Sequence, residues 1–219
     1  MSFRNILALA AATLGLAAFC ASAQQQPPYA KLEPQQPTDG SGKIEVIEFF
    51  WYGCPHCYAL EPAVNAWVKN APKDVVFKRV PATTGGWEEL ARVYYTLEAM
   101  NLLDQYHQKV FDAVHKDHVN LGNKKLREEW LAKNGIDPIK YAETEKSFTV
   151  ATKLQRSKQL TYAYKVDSVP RVFVNGKYYT GAELAGSQAN IFPVVDQLIA
   201  MARRETKTSS AGAAPVAQR

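Results

Sequence analysis

Cys54-Pro55-His56-Cys57 sets two thiols two residues apart, a spacing that can close a small disulfide ring and reopen it. That is thiol–disulfide chemistry, provided the first cysteine is exposed and readily ionised. The motif stands where an apolar run, residues 44–52, gives way to a helical pattern, so Cys54 falls at a helix start. Unpaired N–H groups and the helix dipole favour an anion there. Pro55 suits the first helical turn. His56 either stabilises a Cys54 thiolate as a donor or is a solvent-facing histidine without a role. Cys57, one turn further on, is expected to be buried and to remain a thiol, which suits a resolving partner. The competing chemistry is a metal carrier built on Cys54, His56 and Cys57. His107, His115 and His118 lie at no short ligand spacing from the motif. We therefore expect no metal and no cofactor beyond a redox-active Cys54–Cys57 disulfide.

The ends of the chain agree with that reading. Arg4, the apolar residues 6–19 and Ala21-Ser22-Ala23 form an export signal, with cleavage expected after Ala23. The apolar stretch is short of the roughly 20 residues a membrane span needs. Cleavage removes Cys20, one of the three cysteines, and no third thiol is left for a structural bridge. The remaining pair restrains very little unfolded chain, so it reads as reactive. The net charge of +5 falls to +4 without Arg4 and is spread along the sequence. No basic run is interleaved with aromatics, which argues against nucleic acid as a partner.

Several elements must position the motif. Residues 24–43, rich in Gln, Pro, Gly and Ser, read as a loosely held lead-in that has room for an edge strand at 29–32. Residues 44–52 read as a buried strand. Leu60, Ala63, Val64 and Trp67 recur at helical spacing after Cys57, with Pro62 expected to kink that helix. Residues 75–80 form a second strand. The period then changes, and residues 87–100, 103–115, 124–133, 138–146 and 148–164 read as helices. A strand at 171–174, an Asn175-Gly176 turn, a strand at 177–180 and a helix at 190–203 complete the pattern. Residues 205–219 read as a disordered tail. The order βαβ, helical block, αββα is that of an α/β, thioredoxin-like fold with an all-helical insertion. Residues 44–86 and 148–204 form the thioredoxin-like domain and residues 87–147 the insertion.

The segment Glu48-Phe49-Phe50-Trp51-Tyr52-Gly53-Cys54-Pro55-His56-Cys57 resembles the active-site segment of the DsbA family of periplasmic disulfide oxidases. Val169-Pro170, with Phe173-Val174-Asn175-Gly176-Lys177-Tyr178, is similar to that family's cis-proline strand and hairpin. The resemblance implies an exported, periplasmic, monomeric protein. It implies donation of the Cys54–Cys57 disulfide to folding exported proteins and reoxidation by a quinone-linked membrane partner of the DsbB type. An isomerase or reductase usually adds a dimerisation domain, and no such segment is evident. The resemblance also implies a cis bond before Pro170, exposing the backbone of Val169 to an extended substrate. By base rate alone Pro170 would be an ordinary trans proline. Glu48, by residue pattern either buried or edge-exposed, becomes by resemblance a buried acid that manages the proton of Cys57. Its partner is then a cation on the neighbouring strand, with Lys78 the best positional match and Arg79 beside it. Trp51, Tyr52 and Phe173 are candidates for an apolar substrate groove or for core.

Overall fold

The computed structural model describes residues 26–39 and 42–211, with side chains described as far as residue 206. The export segment, Cys20 and residues 212–219 lie outside the described residues. Five strands form one mixed sheet in the order β1-β5-β4-β2-β3: β1 Ala30–Lys31, β2 Ile44–Phe50, β3 Val75–Pro81, β4 Arg171–Val174 and β5 Tyr178–Thr180. β2 pairs parallel with β3 and antiparallel with β4. All seven residues of β2 are buried, because the strand is central and covered on both faces.

One face carries α1 (Pro55–Lys69) and α8 (Ile191–Ala211), which close a core around Val46, Val172, Leu60, Val64, Val195 and Leu198. The other face packs Ile47, Phe49 and Phe173 against Tyr164 and Val166. Between β3 and β4 come α2 (Glu88–Ala99), α3 (Leu103–His115), α4 (Lys124–Lys133), α5 (Pro138–Glu145) and α6 (Phe148–Ala163). Asn123, Asp137 and Ser147 cap three of these helices through side-chain oxygens. The architecture is the thioredoxin-like α/β fold with a helical block. The core of that block includes Phe50, Tyr52 and both cysteines, and also Val150 and Leu154 of α6. The first turns of α6 thus belong to the block and its end to the sheet.

Two expectations about the fold need correction. The lead-in is not loosely held over residues 26–39. The edge strand expected at 29–32 is present there as β1, paired with β5, and beyond it Leu32 is buried and the Gln36 N–H donates to the Gly176 carbonyl at 2.8 Å. Gly176, at φ +63°, lies so close to Gln36 that any Cβ would strike its carbonyl. The last helix does not stop at Arg203 but continues to Ala211. Glu205 accepts from Lys177 Nζ at 2.9 Å and from Tyr178 OH at 2.5 Å, so the β4–β5 hairpin holds the start of that extension. A short helix, α7 (Ala182–Ala185), and a 3-10 turn at Gln188–Asn190 were not anticipated. Pro62 sits inside α1, which runs unbroken from Pro55 to Lys69.

Candidate active site

Cys54 is the N-cap of α1, with extended backbone (φ −89°, ψ 116°), and Pro55 opens the first turn. The Cys57 N–H points at Cys54 Sγ from 3.4 Å, so the sulfur occupies the place where a capping oxygen normally satisfies an orphan donor. The site is more enclosed than expected: Cys54 is 7% exposed and Cys57 is fully buried. Cys54 Sγ lies 3.4 Å from the Val169 carbonyl oxygen. The Val169–Pro170 peptide is cis, and Val169 is half-buried while Pro170 is buried.

The two thiols are driven apart electrically. Cys54 is lowered to about 6, first by a hydrogen bond from the Cys57 thiol and then, against the cost of burial, by the Cys57 and His56 N–H groups and the His56 charge. Cys57 is pushed far up, chiefly by burial. The His56 imidazole is exposed and makes no hydrogen bond among the described residues. Its charge is the least of the influences on Cys54, so the motif's backbone and second thiol act more strongly than its histidine.

Beneath the cysteines lies a buried ionic cluster. Glu48 is 1% exposed, and burial raises its carboxyl to about 8. Lys78 is not its partner. The parallel register sets Glu48 opposite Arg79 and Ile47 opposite Lys78, so alternation turns Lys78 to the other face. Lys78 Nζ instead meets Glu45 Oε2 at 2.7 Å and the carboxylate of Asp39. Arg79 Nε lies 3.4 Å from Glu48 Oε2, and its Nη2 donates to Glu61 Oε1 at 2.7 Å and Asn65 Oδ1 at 2.9 Å. Glu61 was missed, although its spacing carries a signal. Cys57, Leu60, Glu61 and Val64 are the buried residues of α1, so an acid stands on the helix's apolar stripe.

His107 extends the cluster, with Nε2 3.4 Å from Glu61 and Nδ1 2.7 Å from Tyr52 OH. Burial lowers its pKa. The neutral ring then accepts from Tyr52 at Nδ1 and turns Nε2–H toward Glu61. Asn65, Arg79, His107 and Gln108 line a cavity of about 170 Å³ at this cluster. α3 is tied to the site a second time. His115 Nε2 donates to the Tyr52 carbonyl at 2.8 Å and its ring stacks on Tyr58 at 4.9 Å, while Tyr58 OH donates to Asp112 at 2.9 Å. Tyr52 and Phe173 are core. Trp51 is half-buried and stacks on Trp87 at 4.8 Å. Among the described residues no group of three potential metal ligands converges.

A thioredoxin-like sheet with a two-cysteine motif capping its first helix, beside the loop ahead of β4, defines a thiol–disulfide oxidoreductase. Residues 45–189 match the family model of the DSBA-like thioredoxin domain. The thiol:disulfide interchange protein DsbA of Bordetella parapertussis is 46% identical over 199 residues, covering 90% of this chain and 94% of that one. DsbA of Azotobacter vinelandii is 43% identical over 176 residues, 80% and 82% of the two chains. The crystal structure of Pseudomonas aeruginosa DsbA superposes with a TM-score of 0.78 at 39% identity, over 83% of this chain and 95% of that one. That of DsbA from Xylella fastidiosa gives 0.73 at 28% identity, over 80% and 95%. The chain belongs to the DsbA family and is a disulfide oxidoreductase.

Proposed function

We propose that this protein works in the periplasm, after cleavage of its export signal, as a monomeric dithiol oxidase for folding exported proteins. A substrate thiolate attacks Cys54 Sγ of the oxidised protein, forming a mixed disulfide and expelling Cys57 as a thiolate. That buried sulfur must take up a proton, and Glu48 is the nearby acid held protonated in the neutral range. The substrate's second thiolate then attacks its own disulfide-bonded sulfur and releases Cys54 as a thiolate. Two electrons pass from substrate to enzyme. A quinone-linked membrane oxidase of the DsbB type takes them away and restores the disulfide. Val169 offers its backbone to an extended substrate strand beside Cys54, and His56 adds a small electrostatic share. Arg79, in place of Lys78, holds the acid.

The observation that carries this reading is the opposition of the two thiols. Cys54, at about 6, is a good leaving group at the edge of the site, and Cys57, buried, prefers its proton. A low-pKa leaving thiol favours transfer of the disulfide to substrate. The test is to mix oxidised protein with a reduced, unfolded substrate protein, with and without a chelator. Stoichiometric disulfide formation that is indifferent to chelator supports the reading. Failure to oxidise, or loss of activity with chelator, sinks it.

A further inference from the structure

Arg171 follows Pro170 and opens β4. Its neighbours on that sheet face are apolar: Phe49 opposite it and Phe173 two residues on. The guanidinium nevertheless stays there, with a side chain only 11% exposed, lying over the Tyr179 ring at 5.1 Å. One nitrogen, Nη2, reaches Ser168 Oγ at 2.5 Å, Asp167 Oδ1 at 3.3 Å and the carboxylate of Glu183 on α7. Asp167 and Ser168 immediately precede Val169, whose carbonyl oxygen lies 3.4 Å from Cys54 Sγ. Residues 167–169 join no strand ladder, since the β2–β4 pairing ends at Phe49 and Arg171. The side chain of Arg171 therefore supplies what the sheet does not. It joins the loop on one side of Val169 to the helix beyond β5. The 3-10 turn after α7 in turn reaches the first turn of α1, where Gln188 Nε2 donates to the His56 carbonyl at 2.9 Å.

We propose that Arg171, held by Glu183, is a positioning residue for protein substrates: it fixes the Val169 backbone beside Cys54 so that an extended, cysteine-bearing strand can pair with it. The inference rests on the proposed oxidase function and adds a determinant of selectivity for polypeptide over small thiols. Asp167 and Glu183 are themselves largely exposed, at 75% and 55%, so their ion pairs add little to global stability. Their consequence is local. A loop left free must be ordered when substrate binds, and that ordering weakens binding. A small dithiol such as dithiothreitol has no backbone to pair and does not depend on the loop.

The experiment compares oxidation of a fluorogenic dithiol peptide with that of dithiothreitol by the wild type, Arg171→Met and Glu183→Gln. In a single turnover of the pre-oxidised protein, the expected result is a fall of about fivefold in the peptide-to-dithiothreitol ratio of second-order rate constants for Arg171→Met, seen as a higher half-saturating peptide concentration, which corresponds to about 1 kcal/mol. Glu183→Gln, at an exposed site that tolerates the change, should move the ratio the same way by less. An unchanged ratio in both variants overturns the proposal. So does a parallel loss with both dithiols, which marks a merely structural residue. A wild type that oxidises neither dithiol refutes the oxidase reading itself.

Discussion

Acidification should erase the stability that the reduced protein draws from Cys54. Its thiol is held at about 6 in the fold against an ordinary 9.0. Above pH 9 the thiolate exists in folded and unfolded chains alike and the full stabilisation is present. Between 9 and 6 the unfolded thiol is protonated while the folded one remains ionised, and the contribution shrinks as pH falls. Below 6 it is gone. Integrated over these values it is about 2.7 kcal/mol at pH 8, about 1.4 at pH 7 and near zero at pH 5. The oxidised protein has no such thiol, and closing its ring is indifferent to pH. Cys57, raised in the fold, ionises in neither state below about pH 8. Glu48 and the other carboxylates are common to both redox forms. The reduced-minus-oxidised difference in unfolding free energy should therefore grow by about 2.6 kcal/mol between pH 5 and 8. With a urea slope of about 2 kcal/mol/M, the gap between midpoints widens by about 1.3 M. The reduced form should be the more stable at neutral pH. A gap that stays constant from pH 5 to 8 would falsify the assignment of a stabilised Cys54 thiolate.

Limiting alkylation of the reduced protein, followed by peptide mapping, should label Cys54 well before Cys57, with an apparent pKa near the lowered value of about 6; first labelling at Cys57 would reverse the roles. Cys57→Ser should accumulate mixed disulfides with substrate on non-reducing gels, and Cys57→Ala should raise the Cys54 pKa further than Cys57→Ser, because serine keeps a hydroxyl donor where the thiol was; equal shifts would remove the Cys57 thiol from its leading place. His56→Ala should raise the same pKa and weaken the oxidant, but by less than Cys57→Ala; an unchanged glutathione equilibrium constant would leave the imidazole without a part. Arg79→Met should cost about 3–5 kcal/mol by urea unfolding, since it strands Glu61 without a cation, and adding Glu61→Gln should return part of that; a loss below about 1 kcal/mol would mean the pair with Glu61 at 2.7 Å contributes nothing.

The parts legible in the sequence were those set by near neighbours. A Cys-Pro-His-Cys run after an apolar strand places one sulfur at a helix end and the other one turn inside, because four consecutive residues cannot do otherwise. The changes of hydrophobic period marked most helices and strands, and the Asn175-Gly176 turn fixed the hairpin. Contacts between distant segments were not legible. Lys78 and Arg79 are adjacent, and only the register of β3 on β2 decides that Arg79 meets Glu48 while Lys78 turns to Glu45 and Asp39. His107 looked like an isolated histidine in the insertion until α3 packed it between Tyr52 and Glu61. The Ala, Ser, Thr and Gln content of residues 205–219 suggested a disordered tail, yet Glu205 finds Lys177 and Tyr178 across the hairpin and the helix continues to Ala211. Burial had the same origin: the enclosure of Cys54 depends on the loop at Val169, 115 residues along the chain. Local chemistry follows from bonded order, whereas the charge state of a buried group depends on which remote side chains the fold brings within a few ångströms of it.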